Sequence, residues 1–312
     1  MLGVFLIVAS LTSFELQFAI LTETFFGFLI VLSFYFLLRF IKLGGHFYDF
    51  AIYAALFNYA LFVRPILVYF AAFLCVAFLV AALLKKIKFS AFFTFFIMFA
   101  LCYGGWITRN YIQTDVAKYS TNAAGDQYFA WILEYDSLAD KDPRAAVRDI
   151  FNEKYPSETI AHLNPSQKAA LLGEVAKDYI KQRPIDYIGQ CFMGLFRELF
   201  GPTEVAGRQI GFSLTRSIGV FGFIYIFYLC GIYALYLAGI AAQKFKLDIA
   251  QVYIFILSAY LLVASAPPGH SRYRDPWWQL IVIGAIALAP IVKERFLELK
   301  NFIKTKCFQK TL

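Results

Sequence analysis

The chain has 312 residues, of which 60% are hydrophobic, 19% aromatic and only 16% charged. A soluble domain averages roughly 45–50% apolar and 25% charged residues, so the composition excludes an ordinary soluble protein and implies a multi-pass membrane protein, its partner the lipid bilayer. The formal net charge of +8 does not imply nucleic-acid binding, because the bases sit mainly at the ends of apolar runs, where membrane orientation explains them.

The N-terminal stretch MLGVFLIVASLTSFELQF lacks the basic start and small-residue cleavage site of a secretory signal, and reads as a retained span. Apolar runs then predict about eight spans, near 2–19, 21–41, 47–63, 65–84, 89–107, 215–240, 248–267 and 276–292. The third is short and begins near Asp49. The expected fold is an all-α polytopic transmembrane helix bundle with a mostly helical extracytoplasmic domain. Its segments are 1–107 (spans one to five), 108–214 (the outer domain), 215–292 (spans six to eight) and 293–312 (a basic tail).

Basic residues set the direction. Arg39 and Lys42 follow span two, Lys85, Lys86 and Lys88 separate spans four and five, and Lys244 and Lys246 separate spans six and seven. The tail carries Lys293, Arg295, Lys300, Lys304, Lys306 and Lys310. One alternating topology puts all of these on the cytoplasmic side, with both termini inside. It puts Glu23, the Arg64-Pro65 turn, the segment from Arg109 and the loop 268–275 outside. Outer arginines oppose the orientation rule, so they call for another explanation.

The polar middle, 108–214, holds 14 of the 21 acidic residues. Asn164-Pro165-Ser166 predicts a helix start, AALLGEVAKDYI has helical spacing, and Arg183-Pro184 predicts its end. The following PIDYIGQCFMGLFRELF fits either a helix along the membrane interface or a packed helix of the outer domain. The five cysteines are scattered without a CxxC pair, which implies neither a disulfide framework nor a thiol metal cluster. A divalent metal is compatible with the sequence, but nothing clusters to bind one and no cofactor is certain. His46 and His162 read as structural.

The densest charge lies in GHSRYRDPWW, residues 269–278. The guanidinium group is a permanently charged fork that matches phosphate oxygens. His270, Arg272 and Arg274 are therefore candidates to bracket a lipid-linked phosphate at the membrane surface, with Arg64 and Arg109 as further cations on that side. The plain alternatives are headgroup contact, pairing with Asp275 and, for Arg64, a snorkelling side chain at a helix-breaking turn. Asn110 and Tyr273 are candidate substrate contacts. Glu23 is a weak candidate acid or base, and pairing with an arginine is its more ordinary role.

Two families share parts of this pattern. Lipid phosphatases of the phosphatidic-acid type combine an Arg-Pro, a Pro-Ser-Gly-His and a later Ser-Arg followed by a catalytic histidine. The chain has Arg64-Pro65, Pro267-Pro268-Gly269-His270 and Ser271-Arg272, but Phe57 stands where the lysine is expected and Trp278 where the histidine would fall. Over most of its length the chain more closely resembles the membrane-embedded C-type glycosyltransferases, the branch that includes protein O-mannosyltransferases and lipid A aminoarabinose transferases. The resemblance rests on an ordered set: Thr22-Glu23 at a span start, Arg64-Pro65, Trp106, Arg109 and Asn110 at a span exit, a Pro-led amphipathic helix, and His270-x-Arg272-Tyr273-Arg274-x-Pro276.

That resemblance implies a polyprenyl-phosphate-linked sugar as donor and a lipid, glycan or protein acceptor on the outer face, with the bacterial inner membrane as the location. The developing charge on the leaving phosphate is what preorganised arginines stabilise. In that family the catalytic aspartate lies in the first outer loop, and the first residues here already resemble the helix beyond it. Three expectations follow. The chain is an N-terminally truncated form, or a partner chain supplies the base, or the protein is a non-catalytic lipid-phosphate-binding subunit of a glycan-assembly complex.

Overall fold

A computed structural model describes residues 22–42, 45–120, 143–200, 220–243, 248–266 and 275–309. All regular structure in them is helical, and no strand occurs among the described residues. In chain order the helices are α1 (Thr22–Lys42), α2 (Phe47–Val63), α3 (Val68–Leu83), α4 (Phe89–Phe99), α5 (Gly105–Thr114), α6 (Pro143–Lys154), α7 (Ser157–Ile160), α8 (Pro165–Gln182), α9 (Pro184–Phe200), α10 (Val220–Ala242), α11 (Ile249–Ser265) and α12 (Asp275–Gln309).

Among the described residues, three stretches are long and apolar enough to cross a membrane: Thr24–Lys42, Pro65–Leu83 and Phe89–Thr114. They coincide with expected spans two, four and five. The described helices do not carry the expected count of eight. Phe47–Val63 and Ile249–Ser265 have 17 residues each, and such helices rise about 25 Å, short of the ~30 Å hydrocarbon core. The described apolar part of α10, Phe227–Ala242, is also short, and expected span one lies outside the described residues. Expected span eight falls within α12, one 35-residue helix that runs on through the basic segment, with Pro290 inside it.

The chain divides into two compact units. One comprises 28–201 and 261–273. Its core is a set of interlocked rings, because α2, α3 and α4 turn Phe50, Tyr53, Phe57, Phe70 and Phe95 inward among small alanines. Tyr53, Phe57 and Phe95 are fully buried. Phe95 stacks on Tyr53 at 6.0 Å and meets Phe78 edge-on at 5.1 Å. Phe50 also meets Phe78 edge-on at 5.3 Å. Offset and edge-to-face pairs of this kind add to simple burial. Phe57, where a lipid phosphatase has its lysine, is part of this core.

Asp49, the charge at the start of α2, is buried and faces Arg39, with Nε and Oδ1 3.3 Å apart. The pair neutralises a carboxylate that would otherwise be costly near hydrocarbon, and Asp49 in the first turn also suits the helix dipole. Between α4 and α5 the helix widens into a π-turn at Ala100–Gly104, so the two run as one element from Phe89 to Thr114. Asp115 ends it in the left-handed conformation, φ 56°, which Asp tolerates better than most residues.

In the polar segment of the same unit, α8 starts where the sequence predicts. The Asn164 side chain accepts from the Gln167 backbone at 2.9 Å, and the Gln167 side chain accepts from the Asn164 backbone at 3.0 Å. This reciprocal pair is a capping box. Leu172, Val175 and Ala176 form a small core against Ile150, Phe151, Tyr155 and Tyr179. Lys154 reaches Asp178 at 2.8 Å across that core. Helix α9 is turned inside out: Ile185, Ile188, Phe192 and Phe196 are exposed, while Gln190 and Glu198 are buried.

The second unit comprises 1–27, 202–260 and 274–312. Its described part is built on α10 packed against α12. Gly239 and Gly284 admit Leu288 and Tyr236 into close contact, and Trp278 is fully buried against Tyr228 and Tyr233. The position where a phosphatase has its final histidine is thus a buried tryptophan.

Candidate functional site

Two of the arginines singled out in the sequence lie at one end of the first unit. Helix α2 stops at Val63 because Pro65 disfavours helical backbone at the residue before it. Arg64 is accordingly extended, φ −143° and ψ 113°, and its backbone N–H donates to Ala60 O at 2.9 Å. Two residues back, Phe62 meets Trp106 of α5 edge-on at 5.5 Å. Helices α2 and α4–α5 run in the same direction, since Tyr53 packs on Phe95 and Phe62 on Trp106. The Arg-Pro turn and the Trp-x-x-Arg-Asn exit therefore share an end.

At that end the guanidinium of Arg109 lies over the Trp106 ring, 4.8 Å from its centroid, and the side chain is exposed. A cation held so at an exposed site gains about 0.5–1 kcal/mol and loses rotational freedom. Both ends of the Asn110 amide are engaged. Nδ2 donates to Lys118 O at 2.9 Å and Tyr119 O at 3.2 Å, and Oδ1 accepts from Arg109 at 3.3 Å. Trp106 Nε1 also donates to Tyr119 O, at 3.0 Å. Two residues of the exit motif thus hold the chain where it turns back after Asp115. Tyr103 stacks on Tyr119 at 5.4 Å, and burial pushes the Tyr119 hydroxyl up to about 12. Asn164, the cap of α8, donates from Nδ2 to Thr114 O at 3.1 Å, which ties the polar segment to the end of α5.

Glu23 lies in the first turn of α1, but its side chain lies outside the described residues. So do His270, Arg272, Tyr273 and Arg274. Among the described residues no three His, Cys, Asp or Glu side chains gather as metal ligands would.

Sequence reasoning passed over Glu198. It is fully buried, and its Oε1 accepts from Ser265 Oγ at 2.8 Å. Ser265 ends α11, two residues before the Pro267-Pro268 that opens the arginine-rich segment. The signal was present as Gln190 and Glu198, eight apart in an apolar helix and hence on one face. Which face turns inward depends on the surrounding medium, and that cannot be read from spacing.

Compared with protein-family models, with curated proteins and with solved structures, the chain finds no match.

Proposed function

We propose that the protein is a multi-pass membrane glycosyltransferase-like protein that takes a sugar from a polyprenyl-phosphate donor to an acceptor on the extracytoplasmic face. In this reading the bundle approaches eight spans with both termini cytoplasmic, in a bacterial inner membrane, and α9 lies along the outer interface with its apolar face in lipid. The observation that supports it is the convergence of Arg64-Pro65 with Trp106, Arg109 and Asn110 at one end of the first unit, which matches two separate parts of the ordered motif set.

Arg64, Arg109, His270, Arg272 and Arg274 hold the lipid phosphate, and Tyr273 contacts the sugar. Asn110, whose amide is already engaged, orients Arg109 instead of binding sugar. An acceptor hydroxyl attacks the anomeric carbon, the bond to the phosphate oxygen breaks, and the lipid phosphate leaves with the electron pair. The hydroxyl proton passes to a base, for which Glu23 or a carboxylate from a partner chain is the candidate.

The test uses the full chain in proteoliposomes with a sugar-linked polyprenyl phosphate, and reads release of polyprenyl phosphate. Replacing Arg272 and Arg274 together by Ala should slow release at least about 100-fold, the scale of losing transition-state charge stabilisation. Release unchanged in that variant contradicts the assignment. Binding of the donor without any release by the wild type selects the non-catalytic subunit.

A further inference from the structure

Three lysines gather in the turn between α3 and α4. The turn is residues 84–88, with Pro65–Leu83 before it and Phe89–Thr114 after it, both long and apolar enough to cross a membrane. Helices α3 and α4 pack together, so Lys85, Lys86 and Lys88 lie at a bilayer surface, and all three are exposed. Leu83, Leu84 and Phe89, which flank them, are exposed too. The charge is not compensated within the fold. From residue 50 to residue 114 the sequence contains no Asp or Glu, and among the described residues no acid pairs with any of the three. Other basic side chains do have acidic partners: Arg39 faces Asp49, Lys154 reaches Asp178 and Arg295 reaches Glu298.

Two of the three lysines also stand where local structure favours another residue. The Lys86 N–H donates to Ala81 O at 2.8 Å and the Lys85 N–H to Ala82 O at 2.9 Å, which is the Schellman ending of a helix. It puts Lys85 in the left-handed conformation, φ 57°, which glycine adopts without strain. Lys88 is the N-cap of α4 and makes no side-chain cap hydrogen bond. It places a cation at the positive end of the helix dipole, where Ser, Asp or Asn suits better. Lys86 complements the C-terminal dipole of α3. Local helix chemistry therefore accounts for one lysine and opposes two, and residues that break local rules in this way are expected at functional positions.

We propose that this turn binds an anionic lipid. Lys85, Lys86 and Lys88 take its phosphate group, and its chains lie against Leu83, Leu84 and Phe89. Position fixes the occupant: phosphate headgroups are the anions that a bilayer surface supplies, and each nearby lysine adds attraction for them. The length of α3, roughly 25 Å, separates this site from Arg64. The site holds for either leaflet and stands without the glycosyl-transfer reading.

The test reconstitutes the full chain carrying Phe89→Trp in bilayers of mixed phosphatidylglycerol and phosphatidylcholine, with one or the other brominated. Quenching of the added tryptophan, beyond that of the four native ones, reads the lipid at the turn. Phosphatidylglycerol should be favoured at least about fivefold at low salt, the worth of one lysine near the surface, and the preference should fall at high salt. Lys85→Gly and Lys88→Ser, each of which keeps two lysines for the orientation signal, should each lower it at least about twofold. Both should nevertheless raise the unfolding temperature in neutral detergent, where no anionic lipid is bound. Equal quenching by the two lipids, or a preference that survives both substitutions, overturns the proposal. A lower unfolding temperature in both variants overturns the trade-off between turn stability and lipid binding. Inorganic phosphate that displaces the brominated lipid more than chloride of equal ionic strength makes the ligand a soluble phosphate and overturns the lipid assignment.

Discussion

At the residue scale, Asn110 and Trp106 are the side chains that hold the chain where α5 ends. Asn110→Ala removes two hydrogen bonds to backbone carbonyls and frees Arg109 from its neighbour. The expected loss is about 1–3 kcal/mol of stability, read by unfolding in detergent, together with weaker phosphate binding. Asn110→Asp, which keeps the acceptor for Arg109 but loses the donor, should recover phosphate binding better than it recovers stability. The Tyr119 hydroxyl gives a pH signature. Its pKa in the fold is pushed up to about 12 from 10.0, chiefly by burial. A raised tyrosine favours the fold fully below its unfolded value, and that contribution is lost as pH rises from 10 toward 12. Tyr119→Phe should flatten the alkaline fall in stability. Charge density and the Arg-Pro and Trp-x-x-Arg-Asn pieces were legible from the sequence. That Asn110 is spent on Lys118 and Tyr119 was not, because both partners are backbone oxygens and leave no trace in residue type.

Helix α8 and the α10–α12 pair carry the predictions at the scale of the element. Asn164→Ala breaks the capping box and the tie to Thr114 at once. It should cost about 1–2 kcal/mol, more than a solvent-facing cap, and should loosen amide-exchange protection in the first turn of α8. The Lys154–Asp178 pair is exposed. The hydrogen bond from Lys154 and its charge hold the Asp178 carboxyl below its ordinary 3.8. Its contribution is complete above that value and fades as pH falls below it, so Asp178→Asn should remove a small acid-side loss of stability while changing little at neutral pH. In the second unit, a Cβ on Gly284 would lie 2.6 Å from the Tyr236 ring. Gly284→Ala should therefore destabilise by about 1–3 kcal/mol through overpacking. Strong local signals, Asn164-Pro165 and Arg183-Pro184, placed α8 to the residue in the sequence. The length of the last helix was not legible, because the switch from apolar to basic residues after Pro290 marks a change of surroundings and does not stop a helix. The π-turn was equally invisible, since no residue type specifies it.

For the whole molecule, apolar runs announced a helical class, which the described residues bear out, and the about eight spans they suggested include the three described stretches long enough to cross a bilayer. Other expected spans meet shorter described helices, because hydropathy registers 17-residue helices such as α2 and α11 much as it registers longer ones. Buried Asp49 opposite Arg39 and buried Glu198 on Ser265 show how such helices tolerate charge: each carboxylate is turned inward onto a partner. The proposed orientation predicts that, in sealed inside-out vesicles, a cysteine introduced at Lys86 is labelled by an impermeant thiol reagent and one introduced at Ile112 is not. The opposite pattern would invert the topology and move the arginine end to the cytoplasmic side. The most direct measurement of the central claim is equilibrium binding of polyprenyl phosphate to the full chain in nanodiscs, comparing wild type with Arg64→Ala plus Arg109→Ala. The account predicts saturable binding by the wild type and at least about tenfold weaker binding by the variant, the loss of one or more charge-assisted contacts. Equal affinity of the two proteins would contradict it.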